Sequence, residues 1–121
     1  MIDIGIDIQS IVEFAAAVHL REPGGCFTDA ELAHGARAAS GATASLAGIF
    51  AAKEAVFKAL PDRPDCFWHD VQVAHDDRGR PDVCFGGALA PWVEDQRIRV
   101  RTSISHSGHY ATAVAFVERA T

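Results

Sequence analysis

The chain has few cysteines, few lysines and no long apolar run. Its three cysteines, Cys26, Cys66 and Cys84, are an odd number, widely spaced and without a Cys-X-X-Cys pair. That pattern excludes a disulfide scaffold and a structural zinc ribbon, and it is expected of a reduced, cytoplasmic protein. Lysine occurs only at Lys53 and Lys58, and 11 Lys+Arg against 16 Asp+Glu leave a net charge of −5. Binding to nucleic acid irrespective of sequence needs basic neutralisation of phosphates, so this balance disfavours it. No segment approaches the roughly 18–20 apolar residues that span a bilayer, so no membrane partner is expected. The start, Met1 to Ile8, carries Asp3 and Asp7 with no basic region ahead of its apolar residues, unlike a signal peptide. No internal repeat, linker or low-complexity tract interrupts the sequence. What is present is ordinary globular composition, 49% hydrophobic and 22% charged over 121 residues, enough for one domain spanning 1–121 with a core of its own.

The opening MIDIGIDI alternates, with Ile2, Ile4, Ile6 and Ile8 on one face and Asp3, Gly5 and Asp7 on the other, which predicts a strand. From Ser10 the spacing of Ile11, Phe14, Ala15 and Val18 becomes helical, with Ser10 as N-cap and Glu13 three residues on. Glu22-Pro23-Gly24-Gly25 is a break. Thr28 then caps a short helix, Glu31 stands at the capping-box position, and Gly35 ends it. The most periodic segment is 43–60, where Leu46, Ile49, Phe50, Phe57 and Leu60 form a stripe among alanines and Pro61 follows. It predicts a central helix that can approach other backbone closely. Residues 61–67 read as a loop. Segments 68–75 and 81–85 flank a hairpin turn at Asp76-Asp77-Arg78-Gly79-Arg80, and a short helix around 87–95 follows. Ile98 to Ile104 and Tyr110 to Val117 alternate on either side of Ser107-Gly108, a second hairpin. The expected fold class is α+β, with helices against a largely antiparallel sheet.

Several polar residues can carry chemistry, and each has a plainer reading. Asp7 at a strand end is most simply solvated. Glu54 and Lys58, four apart on one side of the central helix, resemble an ordinary surface ion pair. They interrupt a helix that is otherwise apolar or alanine, however, and charges on such a helix need partners or a task. Ser105-His106-Ser107-Gly108-His109 falls at a hairpin, where hydroxyls and imidazoles serve turns. Neighbouring strand residues point to opposite faces, so Ser105 and His106 are no nucleophilic pair. His19, His34, His69 and His75 lack metal-ligand spacing. Taken together, two carboxylates from different elements, Asp7 and Glu54, can hold a magnesium ion that keeps waters and leaves room for phosphate oxygens. Lys58 adds a point charge, and the alternating Arg97, Arg99 and Arg101 with the Ser/His groups suit a further phosphate.

These segments resemble the holo-acyl-carrier-protein synthases, the small 4′-phosphopantetheinyl transferases. The likeness rests on G-I-D in the first strand, F-A-A-K-E-A-V-F-K-A-L in the central helix and S-I-S-H-S before the last strand. F-T-D-A-E-L at 27–32 and W-H-D-V-Q-V at 68–73 resemble weaker motifs of the family, in the same order. The resemblance implies a reaction in which coenzyme A is cut at its diphosphate. Its phosphopantetheine arm moves to a serine of an apo acyl carrier protein, and 3′,5′-ADP leaves. It implies Mg2+ on Asp7 and Glu54, with Lys58 on the diphosphate. Ser105 and His106 are placed near the nucleotide end of coenzyme A, and Lys53 and Arg101 are expected among its contacts. A carboxylate or a water on the metal would take the serine proton. It further implies a homotrimer with sites between subunits.

The sequence also departs from the family. Ile49 stands where arginine usually precedes F-A-A-K-E-A, and Glu13 where arginine usually precedes the phenylalanine of the first helix. The loop at 35–44 offers only Arg37. Glu13 would repel an acidic carrier helix. Two readings follow: a transferase serving a carrier of specialised metabolism, or a non-catalytic homologue that either binds coenzyme A or 3′,5′-ADP or serves as a structural subunit of a synthase.

Overall fold

A computed structural model of the chain describes residues 1–120. Strand β1 (Ile2–Ser10) leads into α1 (Ile11–Ala16), a 3-10 turn at Val18–Arg21, α2 (Asp29–Ala36) and the long α3 (Ala42–Ala59). A 3-10 turn at Trp68–Asp70 precedes β2 (Val71–His75), β3 (Pro81–Phe85), α4 (Leu89–Asp95), β4 (Ile98–Ser107) and β5 (Tyr110–Arg119). The strands form an antiparallel sheet in the order β1-β5-β4 and a separate β2-β3 hairpin. The α+β expectation holds. Ser10 accepts from the Glu13 amide at 3.2 Å, and Thr28 and Glu31 complete the reciprocal capping box. The first helix stops at Ala16 rather than running through Val18, and residues 68–70 are a turn rather than strand.

Side chains of α3 are buried almost all round. It lies on the sheet through small residues on both sides: Ala51 and Ala55 on the helix, Ala111, Ala113 and Ala115 on β5. Gly5 makes the closest approach possible, since a Cβ there would sit 1.9 Å from the Ala55 carbonyl oxygen. Away from the sheet, Phe50 packs with Phe14, Phe27 and Trp68. The orientation of β1 is the reverse of a solvated-aspartate strand. Its Asp3-Gly5-Asp7 face turns toward α3, while Ile2, Ile4, Ile6 and Ile8 are exposed. Among the described residues no helix is long and apolar enough to cross a membrane, and all three cysteines are free.

Candidate active site

The approach at Gly5 sets the geometry of the site. Two residues on, along the same face of β1, Asp7 meets the last two turns of α3, where Glu54 and Lys58 lie one turn apart. The Lys58 ammonium is 3.1 Å from Asp7 Oδ1 and donates to the Ile6 carbonyl at 2.9 Å. Gln9 donates to Asp7 Oδ2 at 2.7 Å, and the Thr112 hydroxyl donates to the Asp7 carbonyl at 2.8 Å, so the aspartate is held from three sides. Partial burial raises the pKa of Glu54, the nearby Asp7 charge adds to that, and Lys58 and Arg63 oppose it. Glu54 and Lys58 open onto a cleft of about 880 Å³ walled by Phe57, Arg63, Cys66 and Trp68.

A carboxylate such as Glu54, whose proton affinity is raised by burial and by a neighbouring carboxylate charge, is an arrangement a cation relieves. Among the described residues no three His, Cys, Asp or Glu side chains group closely enough to hold a metal by themselves. A pair of carboxylates beside an open cleft fits Mg2+, which uses one or two carboxylates and takes its remaining oxygens from water and phosphate. The donor set therefore suits that ion.

Lys53 requires a correction. Its side chain is completely buried, 2.7 Å from Glu31 Oε1, and it also donates to the carbonyls of Val71 and Trp68. Those three acceptors match the three donors of an ammonium, so nothing remains for coenzyme A. Glu31 in turn accepts from the amides of Thr28 at 2.9 Å and Val73 at 2.8 Å. Burial pushes the Lys53 pKa below the ordinary lysine range, and Glu31 counteracts it. This buried pair ties α2 and β2 to α3.

Ser105, His106 and Arg101 are not brought to the carboxylates within one chain. Pairing through Thr112 and Phe116 puts Ser105 and Arg101 on the exposed sheet face with Ile8 and Ile4. His106 faces the other way, its Nε2 2.9 Å from the Ala44 carbonyl oxygen, in space that Gly48 leaves open. Ala44 precedes Glu54 by ten residues, about 15 Å along the helix. Sequence reasoning missed Gln9 and Arg63. Gln9 shares the alternation that orients Asp7, and Arg63 is a cation just past a helix end, where carbonyls lack partners.

The close approach at Gly5 sets the strand that carries Asp7 beside the helix that carries Glu54 and Lys58. Next to them is a cleft lined by both carboxylates and cations, Glu54 and Asp65 with Lys58 and Arg63; such a set suits a metal-bound phosphate ester. The sequence pattern of the 4′-phosphopantetheinyl transferase superfamily matches residues 3–115, and the chain belongs to that family, within its holo-acyl-carrier-protein synthase enzymes. It is 37% identical over 130 residues to the holo-[acyl-carrier-protein] synthase of Mycobacterium tuberculosis, covering 98% of this chain and 97% of that protein. The crystal structure of holo-[acyl-carrier-protein] synthase from Neisseria meningitidis superposes with a TM-score of 0.85 at 31% identity, over 98% of this chain and 100% of that one. A coenzyme A complex of the synthase described as from Chronobacterium ammoniagenes gives 0.84 at 28% identity, over 100% and 99%. Enzymes of this family transfer phosphopantetheine from coenzyme A to an apo acyl carrier protein.

Proposed function

We propose that this chain moves the 4′-phosphopantetheine arm of coenzyme A onto a serine hydroxyl of an apo carrier protein, with Mg2+ held by Asp7 and Glu54. The observation that carries the reading is the Asp7–Lys58 ion pair between β1 and α3, set beside a cleft that Lys58 and Glu54 line. The serine hydroxyl gives its proton to a carboxylate or a water, and its oxygen forms the new bond to the phosphorus that carries the pantetheine arm. The diphosphate P–O bond breaks, and 3′,5′-ADP leaves. When bound, Mg2+ would neutralise charge growing on the diphosphate. Lys58, more than half exposed, can turn from Asp7 toward the phosphates, while Gln9 keeps the aspartate oriented.

The active unit is a homotrimer in this reading. Supporting it, Ile2, Ile4, Ile6, Ile8, Val114 and Phe116 form one exposed apolar sheet face, larger than a lone chain ordinarily leaves to water. Ser105 and Arg101 stand on that face, so a neighbouring chain packed there would meet them. The carrier is one of specialised metabolism, less acidic along its docking helix than a fatty-acid carrier. Glu13 supports this, being exposed on α1 where it would repel acidic side chains. The free cysteines support a reduced, cytoplasmic setting.

The second reading, a non-catalytic coenzyme A binder, is favoured by Ile49, which is buried at 1% exposure and offers no charge where the family usually has arginine. Calorimetry of coenzyme A with and without Mg2+, alongside a transfer assay on several apo carriers, separates the two. Magnesium-strengthened binding with transfer is expected; binding without transfer to any carrier would favour the second.

A further inference from the structure

Lys58 brings one cation to the cleft, and Glu54 and Asp65 line it too, so a doubly charged diphosphate calls for a second cation there. The C-terminal end of α3 works against it, because unpaired carbonyls there present the negative end of the helix dipole. Arg63 reverses that sign. Its Nη1 donates to the Phe57 carbonyl at 3.0 Å and the Leu60 carbonyl at 3.1 Å, and its guanidinium lies 4.3 Å from the centre of the Phe57 ring. Both of those hydrogen bonds use Nη1; Nη2 and Nε make none among the described residues, and Arg63 lines the cleft together with Glu54, Lys58 and Asp65.

The turn that carries Arg63 is stiff. Its amide donates to the Leu60 carbonyl at 3.2 Å, and prolines at 61 and 64 restrict the backbone on either side. The adjacent Asp62 is taken up by Arg119 at 2.9 Å, which keeps that carboxylate from neutralising Arg63. Arg63 and Glu54 line the same cleft, and the guanidinium charge there favours the ionised carboxylate. A planar fork anchored on one nitrogen is preorganised for two-point binding of phosphate oxygens, at little further cost in side-chain entropy.

We propose that Arg63, alongside Lys58, grips the diphosphate of coenzyme A, a proposal resting on the transferase reading above. Arg63→Gln is the first variant, because its amide can still donate to the Phe57 and Leu60 carbonyls while the charge is gone. In steady-state transfer by the full chain, KM for coenzyme A should rise about tenfold or more, the effect of losing a charged hydrogen bond, with KM for the carrier unchanged. Dephospho-coenzyme A keeps the diphosphate and lacks the 3′-phosphate, so the same factor should appear with it. An unchanged KM for coenzyme A overturns the proposal. So does a loss that disappears with dephospho-coenzyme A, which would put Arg63 on the 3′-phosphate. If Arg63→Gln does not fold, Arg63→Lys keeps the charge without the fork and should raise KM several-fold; no change there overturns the proposal as well. Should the wild-type chain transfer nothing, calorimetric coenzyme A binding by wild type and Arg63→Gln still tests this residue. Weaker binding by the variant upholds Arg63 while the transferase reading fails, and equal binding overturns both.

Discussion

At its C-terminal end α3 presents Glu54 and Lys58 to an open cleft of about 880 Å³, whereas near its N-terminal end His34, His75 and His106 surround a recess of about 250 Å³. Both ends depend on a glycine. Gly5 of β1 lets the strand touch the helix beside Asp7, and Gly48 of α3 lets His106 lie against it. At the first end the close approach brings charges of both signs into contact, which is how a phosphate site is built. At the second, Ile49 is core, the Gly41 N-cap provides no side-chain hydrogen bond, and the imidazoles mostly pack on one another. A small-residue contact thus makes room without deciding what occupies it; the flanking side chains decide that.

The comparison can be broken most severely at Lys53. Lys53→Met leaves Glu31 as an uncompensated buried charge, and breaking such a pair costs about 3–5 kcal/mol. Denaturant unfolding should show that loss, and a change below about 1 kcal/mol would mean that the pair does not hold α3 in place. Gly5→Ala comes next. Its Cβ would meet the Ala55 carbonyl, so helix and strand must separate, at about 1–3 kcal/mol of overpacking strain. Transfer activity should fall by more than the stability loss explains, because Asp7 and Glu54 move apart. Activity that merely tracks the folded fraction would disconnect Gly5 from the site.

The N-terminal end is sharpened by pH, with the smallest effect. His75 stacks on His34 at 3.8 Å, its Nδ1 is buried without a partner, and burial followed by the His34 charge lowers its pKa from 6.5. Asp76 and Glu31 act in the opposite direction. A histidine whose folded pKa lies below its unfolded one takes up its proton first in the unfolded chain. Stability is therefore unaffected above the unfolded value, falls as pH drops through 6.5, and levels off below the folded value. Unfolding midpoints between pH 8 and 5 should decline less in His75→Gln than in wild type. Equal declines would place the sensitivity elsewhere.

Much of this is legible in the sequence. Alanines and a repeating apolar stripe marked α3, Thr28 and Glu31 announced a capping box, and two charges on a greasy helix pointed to Glu54 and Lys58. Alternation in β1 separated isoleucines from aspartates but could not say which set faces inward, since that depends on what packs where. Lys53 was misassigned although a signal existed: it stands three residues after Phe50 and four before Phe57, on the buried stripe rather than with its neighbour Glu54. Arg63 carries no periodic signal, because its position depends on a turn. The separation of Ser105 from the carboxylates depends on strand pairing between the two ends of the chain, as between Asp7 and Ala113.

The central claim is that Asp7 and Glu54 act as a pair in metal-dependent transfer. Intact-protein mass spectrometry tests it most directly, on apo carriers of differing acidity incubated with this chain, coenzyme A and Mg2+. Wild type should add one phosphopantetheine mass to at least one carrier, and Asp7→Ala should add none, as should wild type with the magnesium chelated. Transfer by Asp7→Ala at a rate near that of wild type would contradict the claim.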